Sequence, residues 1–211
     1  MSSPAHILGW IFLLAALAGD LVMPLILGKF VPGYSQKYMV MSLLGQHGSP
    51  VRKLYNSWLI LCGILILYGS LQISSAYKNV PPAGPAALGL MIYGVGACIL
   101  AGIFPVGTKK RPETPSEKIH AAGAVTGFMI LTVIPLLIGM LFLQTGSTAA
   151  GCISIVCFVA AVVFFILFVM ADKESFAGTR IAWEGLWQRL SMLCSYIPVI
   201  LLSLFSLMSA W

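Results

Sequence analysis

The chain has 211 residues, 59% of them hydrophobic and 9% charged, with a mean hydropathy of +0.98. Soluble domains average about a quarter charged residues, so the composition excludes an ordinary water-soluble fold and describes an integral membrane protein. The formal charge of +6 is carried by segments that flank apolar runs, which assigns it to a lipid surface and excludes nucleic acid as a partner.

Apolar runs of roughly 18 residues or more, each able to cross a hydrocarbon layer of about 30 Å as a helix, cover residues 7–28, 57–75, 85–106, 121–143, 149–171 and 190–210. The runs are continuous, not alternating, and a backbone in lipid must satisfy its own amides, so helices are favoured over a barrel. The expected fold is all-α, a polytopic six-transmembrane-helix bundle, with residues 1–211 forming a single membrane domain.

In the first run, Ala16-Leu17-Ala18 resembles a signal-peptidase site. No Lys or Arg precedes it and the apolar run continues to Leu27, so a retained helix is expected. Asp20 is the one ionisable side chain well inside an apolar run. An intramembrane carboxylate is costly enough to need a partner or a water-filled cavity. Pro24, one turn on, frees a backbone carbonyl near Asp20 and predicts a kink.

The connection from Lys29 to Tyr55 is too long for a simple turn. It carries Tyr34, Tyr38, Met39, Val40, Met41, Leu43 and Leu44, enough apolar surface to lie on or dip into the interface. In the third run Gly94, Cys98 and Gly102 recur every four residues, and the fourth run repeats the device with Gly123 and Gly127. Such stripes let helices approach closely. The fourth run is predicted to kink at Pro135. A short uncharged turn leads into the fifth run, the most featureless and the one expected to face lipid. Trp183, Trp187 and Trp211 suit interfacial anchoring.

Eleven of the twelve Lys and Arg residues lie on the first, third and fifth connections, and one, Lys78, lies on the second. Helices that alternate in direction bring the odd-numbered connections to one pole, which the positive-inside rule makes cytoplasmic. All five cysteines, Cys62, Cys98, Cys152, Cys157 and Cys194, fall inside apolar runs without a CxxC. They predict neither a disulfide framework nor a zinc site. His6, His47 and His120 form no metal-ligand spacing, and no phosphate-binding or dinucleotide fingerprint occurs. No metal and no cofactor is expected.

Several motifs run in order along the chain: PGY at residues 32–34, SLLG at 42–45, Gly-x-Pro at 48–50, GIFP at 102–105, IHAAGA at 119–124 and GLWQR at 185–189. In these the chain resembles the DUF998-type six-helix prokaryotic membrane family, a likeness that covers most of its length and implies the cytoplasmic (inner) membrane of a prokaryote. More distantly, the Ser-x-x-Gly loop and the His-x-x-Gly-Ala helix start are similar to features of the autophagy-modulator and GPI-lipid-remodelling membrane families. Those relatives place the motif-bearing loops outside the cytoplasm, in conflict with the charge count, and this sequence lacks the basic second and fourth connections typical of the prokaryotic family.

The polar pole holds the candidate site. Ser42 is a candidate nucleophile only if a base lies within hydrogen-bond reach, and His120 is the one candidate base. Ser42 followed by Gly45 reads equally as a capped turn. Asp20, Arg189, Tyr34, Asn56, Glu184 and Gln188 are candidate ligand-binding residues. Arg189 keeps its charge, so it snorkels to the interface or meets an anion, either a lipid phosphate or Asp20. The expected function is binding of a membrane lipid or amphiphilic small molecule in a polar cup formed by the three odd connections, in a chain compatible with an oligomer. The alternatives are a lipid-modifying hydrolase or acyltransferase using Ser42 and His120, and a small proton-coupled transporter using Asp20. An inverted repeat, the usual mark of a carrier, is not evident.

Overall fold

The structure, a computed structural model, describes residues 4–107 and 112–209. Lys109, Lys110 and Arg111 of the third connection, the terminal Trp211 and the side chain of His6 lie outside the described residues. Among the described residues there is no strand, and six helices are long and apolar enough to span a membrane. They are α1 (Ile7–Phe30), α2 (Arg52–Ala76), α3 (Ala83–Ile103), α4 (Pro115–Gln144), α5 (Thr148–Ala171) and α6 (Glu184–Met208). The chain is an all-α membrane protein, as its composition requires.

Helix α2 begins at Arg52 and α6 at Glu184, each a turn or more before the apolar run itself. Asn56, Gln188 and Arg189 therefore stand on helices at fixed angles. The first connection, in contrast, is a string of turns with one 3-10 segment at Met41–Gly45.

Two prolines behave differently. Helix α4 is interrupted at Thr132–Val133, immediately before Ile134-Pro135, because Pro135 has no amide to donate and crowds the carbonyl four residues earlier. Helix α1 carries Pro24 within a helix that continues to Leu27. Past Pro24 the carbonyls of Pro24 and Leu25 accept hydrogen bonds from Gln36 Nε2 at 2.9 and 3.3 Å.

The glycine stripes set the spacing of the bundle. A Cβ built on Gly96 would stand 2.6 Å from the carbonyl oxygen of Gly123, and one on Gly123 2.7 Å from that of Gly96, so α3 and α4 touch backbone to backbone. Gly102 meets the Asn56 carbonyl of α2 in the same way, at 2.7 Å. Around the first of these contacts, residues Gly94–Leu100 of α3 form a π-helical segment. The wider turn rotates Ala97, Cys98 and Ala101 toward the bundle centre, where all three are buried. Helix α5 packs chiefly on α6 and on the second half of α4. Only 17% of its apolar window is buried, against 39–56% for the other five, which is the lipid-facing role expected of it.

The poles separate as the alternation of direction demands. At one, Leu186 N donates to Lys37 O at 3.0 Å and His120 Nδ1 lies 2.8 Å from Phe104 O, tying the first connection to α6 and the end of α3 to the start of α4. At the other, Tyr77 and Ser206 share a 2.9 Å hydrogen bond, and Gly146 (φ +84°) closes the turn between α4 and α5 in a conformation that a side chain would strain.

Gly123→Ala should lower thermal stability in detergent by about 1–3 kcal/mol, because the added carbon meets backbone that cannot move aside. Gly84→Ala, where a Cβ has open space around it, should leave the melting temperature unchanged or slightly raised.

Candidate functional site

Asp20 projects from α1 into the bundle and is 2% exposed. Tyr93 of α3 and Tyr196 of α6 each donate a hydroxyl hydrogen bond to the same carboxyl oxygen, Oδ2, at 2.8 and 2.6 Å. The two hydroxyls are themselves 2.5 Å apart. Asp20 thus closes on two phenols that also touch each other. Cys62 and Cys98 lie beside it, both fully buried, with the Cys62 thiol 3.6 Å from the Ala16 carbonyl.

Above Asp20 a cavity of about 50 Å³ runs toward the loop-rich pole, lined by Ser42, Tyr55, His120, Gln188 and the methionines Met41 and Met192. Both hydroxyls engage Oδ2, which leaves Oδ1 as the carboxyl oxygen available to whatever enters. His120 is buried, and its Nδ1 faces the Phe104 carbonyl at 2.8 Å. A carbonyl only accepts, so Nδ1 carries a proton and the lone pair of the neutral ring is on Nε2. The same contact satisfies a carbonyl left over at the end of α3, which gives the GIFP and IHAAGA motifs a shared structural duty. Gln188 accepts from Met41 N at 2.9 Å through Oε1, leaving its amide nitrogen for the cavity. Ser42 sits in the Met41–Gly45 turn, half-buried, and among the described residues its hydroxyl makes no hydrogen bond and caps nothing.

Four of the eight candidate residues, Asp20, Ser42, His120 and Gln188, thus share one cavity. The other four do not line it. Arg189, one residue beyond Gln188, points about 100° away around α6 and holds the first connection. Its Nη1 donates to the carbonyls of Gln36, Met39 and Gly185 at 2.8, 3.3 and 2.8 Å, and its Nη2 to Tyr34 Oη at 2.7 Å and to Gln36 Oε1. All five acceptors are neutral, and Asp20 is not among them. Tyr34 passes the chain on to the carbonyls of Val40 and Met39. Burial pushes its phenol above the ordinary value, against the pull of the neighbouring guanidinium. Asn56 donates to the Gly45 carbonyl at 3.2 Å. Glu184 opens α6 and has its own partner.

The glycines of the pole motifs serve this docking. A Cβ on Gly185 would run into the carbonyls of Gln36 and Met39, and one on Gly45 into the Asn56 side chain. Lys37 completes the clamp, its ammonium 3.6 Å from the centre of the Trp183 ring, which stacks on Trp187. Here the two tryptophans hold loop to helix as well as marking the interface.

Sequence reasoning missed Tyr55, Tyr93, Tyr196, Cys62 and Cys98. The signal for the tyrosines was present in weak form, since a buried acid requires donors and few polar groups lie at matching depth. Nothing in the spacing marked the cysteines.

A family model described as "Protein of unknown function (DUF998)" matches residues 9–204. The chain belongs to this family. No curated protein and no solved structure matches it. The DUF998 match spans all six helices, so the cavity and its lining fall wholly within the family's extent.

Replacing Arg189 with Lys removes the planar fork that reaches five acceptors at once. Hydrogen bonds from a charged group contribute about 1.5–3 kcal/mol, so Arg189→Lys should loosen the first connection and raise the labelling rate of a Ser42→Cys reporter by roughly tenfold or more, measured with a membrane-impermeant maleimide.

Proposed function

We propose that this protein binds the small polar end of a lipid or other amphiphile, received from the loop-rich pole into the cavity above Asp20. The observation that carries the reading is the convergence of Ser42, His120 and Gln188 over Asp20 in one cavity of about 50 Å³. A buried water needs roughly 10–15 Å³ by the same measure, so the space suits about three to five waters, or a single hydroxyl, amine or carbonyl group with its immediate neighbours. A complete phospholipid headgroup is larger than this.

Chemically the cavity offers complementary contacts at both ends. A hydroxyl or amine entering it meets Asp20 Oδ1 at the floor and the Gln188 amide, the Ser42 hydroxyl and His120 Nε2 nearer the mouth. Its hydrocarbon part stays with the apolar lining of Leu59, Ala97, Ala101 and Phe128. The distant likeness to autophagy-modulator and GPI-lipid-remodelling proteins, which act on or among lipids, supports an amphiphilic ligand. The basic residues of the pole support a cytoplasmic orientation, and the family likeness supports a prokaryotic inner membrane.

A second reading is favoured by the burial of the Asp20 carboxyl group in the bundle. An acid closed on two phenols beneath a water-sized shaft is suited to exchange a proton with what it binds, the first requirement of a proton-coupled carrier. An acyl-transfer enzyme draws less support. Ser42 and His120 border the same cavity, but among the described residues no hydrogen bond joins them, and a serine nucleophile needs that contact for activation.

Asp20→Asn keeps the side-chain shape and removes the acid. Native mass spectrometry of the purified full chain should then show an amphiphile that co-purifies with the wild type reduced about tenfold or more in the variant. The same species at the same abundance in both would refute the binding reading. Infrared difference spectroscopy should find a carbonyl stretch of a protonated acid in the wild type and not in Asp20→Asn; its absence from the wild type would remove the proton-exchange reading.

A further inference from the structure

We infer that Asp20, Cys62 and Cys98 form a binding site for a divalent transition-metal ion of the zinc class at the floor of the cavity. The carboxyl oxygen and the two sulfurs come from three different helices, α1, α2 and α3, and all lie within 4.8 Å of one another. This inference needs neither the amphiphile nor the proton-exchange reading.

The backbone is shaped to bring the two sulfurs together. Cys62 precedes Gly63, on which a Cβ would stand 2.5 Å from the Gly94 carbonyl and 3.1 Å from the Cys98 Cβ. Only glycine there lets α2 and α3 close to this distance. Cys98 itself lies in the π-helical segment Gly94–Leu100, a feature found frequently at functional sites because it turns side chains away from the regular helical register. The sulfurs of Cys62 and Cys98 lie within 4.8 Å of each other, so the two helices bring them together in space.

The distances suit a small tetrahedral ion. Zinc bonds of about 2.3 Å to sulfur and 2.0–2.2 Å to a carboxylate put tetrahedral ligands about 3.6–3.8 Å apart. The three atoms need to draw in by about 1 Å at most, within reach of side-chain rotation. A fourth position opens on the cavity that Asp20 lines, where a water or a ligand group completes the shell, as in catalytic zinc sites with three protein ligands.

The donor set decides the class of ion. Magnesium and calcium take oxygen ligands, whereas thiolates select zinc and other soft or borderline metals. The way in is lined by further soft donors, Met41, Met192 and His120, and by no Lys or Arg. Binding displaces the thiol protons of Cys62 and Cys98, and Asp20 binds as the carboxylate. The dication then stands against two thiolates and a carboxylate. The surplus negative charge rests on the carboxylate, held by the Tyr93 and Tyr196 hydroxyls. Ligating carboxylates are commonly supported by such hydrogen bonds, and removing an outer partner weakens a metal site about 10–100-fold. Tyr93 and Tyr196 are positioning residues in this arrangement.

The test uses the reduced, chelator-washed full chain in detergent, titrated with Co²⁺ as a spectroscopic probe and then with Zn²⁺. One equivalent of Co²⁺ should raise a sulfur-to-metal charge-transfer band with tetrahedral ligand-field bands, and Zn²⁺ should abolish both. Cys62→Ser and Cys98→Ser should each lose the band, and Tyr93→Phe should retain it with affinity lowered about tenfold. No band from the wild type at one equivalent overturns the site, as does a band that persists in the Cys62→Ser/Cys98→Ser double variant, since Cys152, Cys157 and Cys194 remain there. The wild-type arm decides the matter even if a cysteine variant fails to fold. The cysteines do not line the cavity, so amphiphile co-purification from the same preparations reports separately on the binding reading.

Discussion

A carboxyl group in the hydrocarbon layer finds its hydrogen bonds inside the protein or brings water with it. Asp20 draws Tyr93 and Tyr196 to a single oxygen, and through them α3 and α6 are fixed against α1 at mid-bundle. The remaining features of the interior follow from that meeting point. The other carboxyl oxygen is left to the cavity, the cavity rises to the one pole where polar side chains collect, and the buried thiols lie against its base. An apolar residue at position 20 would leave the two phenols only each other as partners, so acid and tyrosines form a unit whose value lies in its being complete.

The pole is organised by a different interaction. The first connection is too polar in its backbone to lie unsupported at the membrane surface, and it has little regular structure of its own in which to pair its carbonyls. Arg189 meets that need. Its guanidinium gathers carbonyls from Gln36, Met39 and Gly185 together with the Tyr34 hydroxyl, and this pins the loop against α6 in the position that puts Ser42 over the cavity. Gln188, the next residue round the helix, takes the amide of Met41 from inside. Adjacent residues on α6 thus grip the loop from two directions, one outside the cavity and one lining it. A residue expected to hold a ligand also positions the wall of the cavity.

Close helix approach links the two regions. Association in lipid gains little from burying apolar surface, since lipid tails are equally apolar, and relies on packing and polar contacts. The contacts of Gly96 with Gly123 and of Gly63 with Gly94 bring α2, α3 and α4 near enough for a narrow polar shaft to exist without flooding. The π-helical turn between them directs Cys98 and Ala97 inward. A bundle held at wider spacing by larger side chains would lose both the shaft and the sulfur pair.

The sequence alone determined the class, the six crossings and the gathering of the odd connections at one pole, because these follow from run length, continuity and the alternation of direction. It also singled out Asp20, Ser42, His120 and Gln188, since a polar group beside or within lipid is expensive enough to need a reason. The partners were not legible. Tyr93 and Tyr196 are 103 residues apart, and their meeting at Asp20 depends on helix rotation, which an apolar run does not encode when nearly every face of it is greasy. For the same reason the cysteines predicted no site, and Arg189 was expected to snorkel or meet an anion because the loop that it holds has no periodicity to betray its path. Composition fixes what must be inside a membrane; which side chains face one another there is decided by the rotation and spacing of helices, set by glycine contacts and one widened turn that exist only once the bundle has closed.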